Sequence, residues 1–373
     1  MRRLGLLACA AAALLALLAS PARAQIDPRT AFLEKAGWDA LAAGQAHAAA
    51  DDFRQGLVAD PKNARLLLGA GIAAFLERRD TDATDALEHA LAIDPKAAQA
   101  RQVLGQTLYR LGDLNGAVRT YEQLVAGAPD DTAARSTLER WRREVELHDR
   151  MQQAIGDHFT VSFEGPGEAA LADEALASLD RAYGRICSLL GVFPTQPIAV
   201  VLYSTEQFRD ITRAPSWAAG SYDTAIRVPM RGALANLAEL DRVMAHELTH
   251  AVVRTLATRG VPTWLNEGLA TALESGDLMW AEQQVQTSGP VPLLALQSGF
   301  SGLTGNQAQL AYATSALAVR TLIEDAGGLA VANLLRDLGA GVDFNAAFLH
   351  RIQRPFADFQ AGPFQVSYTG RQL

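Results

Sequence analysis

Two different periods of apolar and polar positions divide this chain. Between Pro28 and Asp130 apolar residues recur at helical spacing, and a longer step of 34 residues is laid over them. That step carries Pro61 to Pro95 to Pro129, Gly37 to Gly71 to Gly105, Ala49 to Ala83 to Ala117, and Leu57 to Leu91 to Val125. A repeat of this length holds two helices, and Asp60-Pro61 and Asp94-Pro95 mark boundaries where a proline closes one helix pair and can open the next. Small residues at the glycine and alanine positions let the paired helices approach closely. Three such units, 28–130, are enough to form a stable stack. A charged helix follows from Thr132 to Gln153, serving as cap and linker over 131–156, and its run Arg140, Trp141, Arg142 and Arg143 reads as a solvated face.

From His158 the period changes. Phe159 to Phe163 alternates as a strand, Glu168 to Leu190 reads as a helix, and Pro197 to Tyr203 is an apolar run of the kind that forms a buried strand. Gly220 to Pro229 alternates roughly and stops at a proline, as an edge strand does. Leu237, Leu240, Val243, Met244, Leu248, Val252 and Val253 then mark one face of a helix, and neither proline nor glycine interrupts from Leu234 to Arg259. A loop-rich stretch runs from Glu274 through Pro290 and Pro292 to Gly305, before helices near Gln307–Asp325 and Leu329–Leu338. The expectation is an α+β protein: an all-α repeat solenoid, then a domain at 157–373 with a mixed-sheet lobe and a helical lobe.

The candidate chemistry lies on the long helix. His246-Glu247-Leu248-Thr249-His250 puts two imidazoles four residues apart, hence on one helical face, with a carboxylate beside them. A catalytic zinc takes three protein ligands and keeps a fourth position for water, and Glu267, in Trp264-Leu265-Asn266-Glu267-Gly268, stands where a third ligand is expected. The candidate metal ligands are therefore His246, His250 and Glu267, with Glu247 as general base. Thr271 and Glu274, one and two turns beyond Glu267, are either hydrogen-bond supports for the ligands or ordinary exposed helix positions. The remaining histidines, His47, His89, His148, His158 and His350, have no partner at ligand spacing and read as exposed or capping residues.

Two resemblances attach to these residues. The 34-residue helix pair resembles the tetratricopeptide repeat. The segment His246-Glu247-x-x-His250, sixteen further residues, and Trp264-Leu265-Asn266-Glu267-Gly268-Leu269-Ala270 resembles the gluzincins, the thermolysin-like zinc metallopeptidases, and above all their peptidase MA-like and aminopeptidase N-like branches. That likeness covers roughly 159–335. It implies one zinc per chain, hydrolysis of peptide bonds by a zinc-activated water, and a polypeptide paired along the edge strand. It also matches Tyr312 to a catalytic tyrosine that hydrogen-bonds the developing oxyanion. Three features depart from the aminopeptidases: the connecting interval is shorter than their eighteen residues, the Gly-x-Met-Glu-Asn segment that grips a free amino group is missing, and the Lys and Gly that usually follow the tyrosine are absent after Tyr312. The repeats, by analogy, offer a groove for an extended peptide or a partner protein.

Composition narrows the setting. Arg2-Arg3, the apolar run Leu4 to Ala19, and Ala22-Arg23-Ala24 have the three zones of a secretory signal peptide, giving 1–24 as a leader and a secreted, most simply periplasmic, mature chain. A lipid anchor at Cys9 is the lesser alternative, since only about five apolar residues precede it. Loss of Arg2, Arg3 and Arg23 takes the net charge from −8 to −11, which argues against nucleic acid as a partner. Cys187 is then alone, and no later run is long enough for a transmembrane segment. The rival to a peptidase is a repeat-based binding or scaffold protein with a vestigial metallopeptidase domain, and the intact set Glu247, His246, His250 and Glu267 counts against it. A zinc hydrolase acting on a non-peptide amide is a third reading.

Overall fold

The computed structural model describes residues 28–165, 168–204, 221–222, 225–229, 236–297, 299–300 and 302–361. The expected leader at 1–24, with Cys9, lies outside the described residues. The chain divides into two compact units, Met1–Glu77 with Thr81–Val103, and Arg78–Asp80 with Leu104–Leu373.

The first unit is built from helix pairs α1 (Pro28–Ala42) and α2 (Ala46–Ala59), then α3 (Ala64–Leu76) and α4 (Asp80–Ile93). The 34-residue step has a steric cause. A methyl group on Gly37 would come within 2.6 Å of the Phe53 ring, and one on Gly71 within 2.6 Å of Leu87. Phe53 and Leu87, themselves 34 apart and fully buried, fill the space that each missing side chain leaves. Asn63 caps α3 by accepting from the backbone N–H groups of Arg65 and Leu66. Ala40, Ala49, Ala50, Leu66 and Ala73 complete the core around Phe53.

In the second unit the same packing recurs. Gly105 of α5 (Ala98–Arg110) faces Tyr121 of α6 (Leu114–Gly127), one more step of 34 along the chain. Helix α7 (Thr132–His148) follows, capped by the Asp131 side chain on the Ala134 N–H. Its Arg142 is exposed and pairs with Glu122, but Trp141 in the middle of the basic run is buried, stacked on Tyr109 at 4.8 Å and tilted against Tyr121 at 4.4 Å. The helix also stops at His148, earlier than its charge pattern implies. Gln152–Ile155 forms strand β1, which pairs antiparallel with β2 (Phe159–Phe163) from Gln152↔Phe163 to Ile155↔Thr160. Ladder hydrogen bonds with β2 win over five further residues of helix.

Helix α8 (Ala169–Leu190) connects β2 to β3 (Ile198–Tyr203), which pairs parallel with it, and ends at Gly191 in the left-handed conformation (φ 64°). The expected single strand at 220–229 is instead two, β4 (Ser221–Tyr222) and β5 (Ile226–Pro229), paired antiparallel. β5 also pairs parallel with β3, so among the described residues the sheet order is β1-β2-β3-β5-β4, with β4 rather than β5 at that edge and β1 at the other. The reason is burial on both faces. Ile226 and Val228 enter the main core while Arg227, between them, lies buried on the opposite face. An edge strand with one wet face does not need that.

Three helices follow that carry the site: α9 (Leu237–Leu256), α10 (Thr263–Glu274) and, after α11 (Met279–Ser288) and a short turn at Leu293–Leu296, α12 (Gly305–Ala326). α11 stands inside the stretch expected to be loop; Ala281 and Val285, four apart, bury one face of it, and Asp277 accepts from the Met279 N–H at its start. Helices α13 (Gly328–Gly339), α14 (Phe344–Ile352) and α15 (Phe356–Ala361) close the lobe, with Trp264 of α10 fully buried and stacked on Phe356. One core joins β2, β3 and β5 to α8, α9, α10, α12 and the last three helices. Among the described residues no helix is long and apolar enough to cross a membrane.

Candidate metal centre

The site sits on the seam between α9 and α10, which run as a helical hairpin. Asn236 caps α9 by accepting from the Glu239 N–H, and Pro262 precedes α10, whose first two turns carry Asn266 and Glu267. His246 and His250 face the partner helix, their ring centroids 4.9 Å apart and nearly perpendicular. Nε2 of His246 lies 3.8 Å from Glu267 Oε2, and Nε2 of His250 lies 3.7 Å from the same oxygen. The structure thus brings the three candidate ligands together, one donor atom from each lying within 4.8 Å of the others.

That set suits zinc. Bonds of about 2.0–2.1 Å at tetrahedral angles would place donors about 3.4 Å apart, so the two histidine–Glu267 sides, at 3.8 and 3.7 Å, need only a few tenths of an ångström of closure. The other ring nitrogens are held in place. Nδ1 of His246 is 2.7 Å from Glu274 Oε2, and Nδ1 of His250 is 3.2 Å from Asn266 Oδ1. Both partners accept, so each Nδ1 carries the proton and each Nε2 keeps a lone pair toward the centre.

Glu247, between the two histidines on α9, is buried beside the charges of Glu267 and Glu274, and its Oε2 has no hydrogen-bond partner among the described residues. Burial first, and then the negative charges of Glu267 and Glu274, push its carboxyl up to about 7, against an opposing pull from His250. Tyr312, half-buried on α12 and edge-on to Phe300 at 5.1 Å, is held well above the usual phenol range. Burial is the main cause, followed by the charges of Glu267 and Glu247 and a hydrogen bond that the phenol donates to Glu267. The sequence-expected tyrosine therefore lies at the same centre.

The supports of the centre separate. Glu274 is buried and bonded to His246, whereas Thr271 is buried with a hydroxyl that meets no hydrogen-bond partner among the described residues. It is a packing residue, neither exposed nor bonded to a ligand. Two participants had gone unread in the sequence. Asn266 immediately precedes Glu267, and Arg242 stands one turn before His246, so that 242, 246 and 250 form one stripe at helical spacing. Of the other histidines, His148 is tucked in rather than exposed, its Nε2 at 2.8 Å from the Tyr203 hydroxyl, and His158 stacks on Tyr183 at 4.0 Å. Cys187 is a free, buried thiol pushed up to about 11 by burial.

The chain thus combines a repeat of paired helices with a mixed-sheet domain in which two histidines and a glutamate could hold one metal ion. Residues 178–352 match the model of the Peptidase MA superfamily, and residues 74–140 match that of a tetratricopeptide repeat. Every residue of the centre falls inside the first match. Comparison with curated proteins finds no match. Among solved structures, the chain is similar to the first tetratricopeptide domain of human RPAP3 (22% identity, 31% of this chain and 92% of that one, TM-score 0.30). It is also similar to the tetratricopeptide domain of Sgt2 from Aspergillus fumigatus (26% identity, 35% and 88%, TM-score 0.32). A third likeness is to an O-GlcNAc transferase of Thermobaculum terrenum (17% identity, 58% and 44%, TM-score 0.30).

Proposed function

We propose that this protein is a secreted zinc-dependent peptidase whose repeats hold a polypeptide substrate or a partner protein. The observation that carries the reading is the convergence of His246, His250 and Glu267 on one point, with both histidine Nδ1 atoms anchored behind them. A zinc ion held by these three side chains would lower the proton affinity of a water molecule and polarise a peptide carbonyl. Glu247, one residue from His246 and raised toward neutral pH, takes the proton of the attacking water and passes it to the leaving amine. Tyr312, still protonated at any physiological pH, donates to the oxygen on which negative charge develops, releasing Glu267 as it does so. Glu274 and Asn266 keep both imidazoles in the tautomer that this arrangement needs.

β4 is one of the two edges of the sheet, and a polypeptide substrate would pair with its main chain there. The sequence from Arg2 to Ala24 supports export, and the tetratricopeptide match supports protein binding by the repeats.

The test is Glu247→Gln, assayed on an unfolded protein with metal content measured in parallel. Hydrolysis falls by roughly 10²–10⁴-fold, the usual contribution of a positioned base, while zinc content stays at the parental level. Turnover that survives the substitution overturns the assignment.

A further inference from the structure

Helices α9 and α10 share more than the metal site. The same seam continues for another turn, where Arg242 Nη1 lies 3.0 Å from Glu274 Oε1 and the other oxygen of that carboxylate is the one 2.7 Å from His246 Nδ1. Arg242 is itself held on its far side, Nε and Nη2 reaching Glu239 at 2.9 and 2.6 Å. Glu239 in turn is fixed at the start of α9, its backbone N–H donating to the Asn236 cap. A continuous chain of hydrogen bonds therefore runs from the helix cap through Glu239, Arg242 and Glu274 to the imidazole.

The geometry has a reason. Glu274 has a side chain only 7% exposed, and it shares a small volume with Glu247 and Glu267. A carboxylate so placed has two poor alternatives to a cationic partner: turning out toward water, or keeping company with two like charges. Either would leave His246 Nδ1 without its acceptor. Arg242 removes both alternatives by giving the second oxygen a charge-assisted bond, with the guanidinium pinned from behind by Glu239. We infer that Arg242 is a positioning residue of the metal centre, acting through Glu274 to hold His246 with Nε2 toward the metal. The inference rests on the metal-centre reading above.

Its test uses the full-length mature chain and zinc alone, with no substrate. Zinc dissociation constants are measured by competition with a chromophoric chelator for the parent, Arg242→Met and Arg242→Lys. Loss of a residue that orients a metal-ligating histidine weakens metal binding by roughly 10–100-fold, and that is expected for Arg242→Met. Arg242→Lys restores most of the affinity, because an ammonium group can still meet the Glu274 oxygen. Absorption of the cobalt-substituted protein in the visible changes in Arg242→Met and returns in Arg242→Lys, which loss of an ordinary surface ion pair would not produce. If Arg242→Met misfolds, Arg242→Gln replaces it and is read in the same way. Zinc affinity within twofold of the parent in a folded Met or Gln variant overturns the inference while leaving the metal centre intact. A parent chain that binds no zinc overturns both.

Discussion

Gly268 tests how closely the fold is tied to the site. It follows Glu267 in the interior of α10, where alanine is ordinarily better than glycine by about 0.8–1.0 kcal/mol. A methyl group there would, however, meet the Ser315 carbonyl oxygen at 2.5 Å and Val319 at 2.8 Å, both on α12. Carbon and oxygen settle near 3.3 Å or beyond, so the helices must part by about 0.8 Å, and a backbone carbonyl inside a helix cannot swing aside. Overpacking of this kind costs about 1–3 kcal/mol, and the backbone obstacle puts Gly268→Ala at the upper end. After the helix-propensity gain, a net loss of about 2 kcal/mol remains. At about 2–4 °C per kcal/mol for a domain of roughly 150–250 residues, thermal unfolding should come about 4–8 °C earlier. The displacement also separates Glu267 from Tyr312, since one stands on each helix, so zinc affinity should fall with stability. Gly276→Ala is the control: no atom would lie within 4 Å of its methyl group, and its melting point should hold or rise slightly. A Gly268→Ala protein as stable as the parent, with unchanged zinc affinity, would refute the close packing of α10 on α12.

Phe53→Ala removes the ring that both Gly37 and Gly69 are shaped to receive and should cost the first unit about 3–5 kcal/mol, read as loss of hydrogen-exchange protection across α1 to α4; a loss under about 1 kcal/mol would contradict the packing. His148 is held below the usual imidazole value, first by burial and then by Arg227. The folded state thus binds this proton less readily than the unfolded chain: its contribution is intact above the unfolded value of about 6.5 and declines as pH falls from there toward the folded value. Urea unfolding at pH 5 to 7 should show a shallower acid limb in His148→Gln, and a steeper one would reverse the sign. Cys187, with its thiol raised by burial, should resist alkylation in the native protein and react at the rate of unfolding; rapid modification at neutral pH would show it to be accessible.

What was legible in the sequence depended on how far apart the cooperating residues stand. Gly37, Gly71 and Gly105 were readable because each packs against a helix only sixteen residues later, and the repetition exposes the step even where Phe53, Leu87 and Tyr121 differ in kind. His246, His250 and Glu267 were readable because two adjacent helices carry all three at fixed spacing. Long-range contacts were hidden. Trp141 sat inside a charged run yet packs on Tyr109, and His148 bonds Tyr203, 55 residues away. Nothing local marks either as buried. β5 alternated well enough for an edge strand, and only pairing on both sides, with Arg227 buried, shows it to be interior. Arg242 resembles any i, i−3 partner of Glu239 until α10 brings Glu274 against it.

The most direct measurement is the zinc content of the purified mature protein by elemental analysis, beside that of His246→Ala. One zinc per chain, largely lost in the variant, is the expected result, because His246, His250 and Glu267 converge with their supporting bonds already in place. No bound zinc in the parent after reconstitution with added metal would contradict the metal centre and the peptidase built on it.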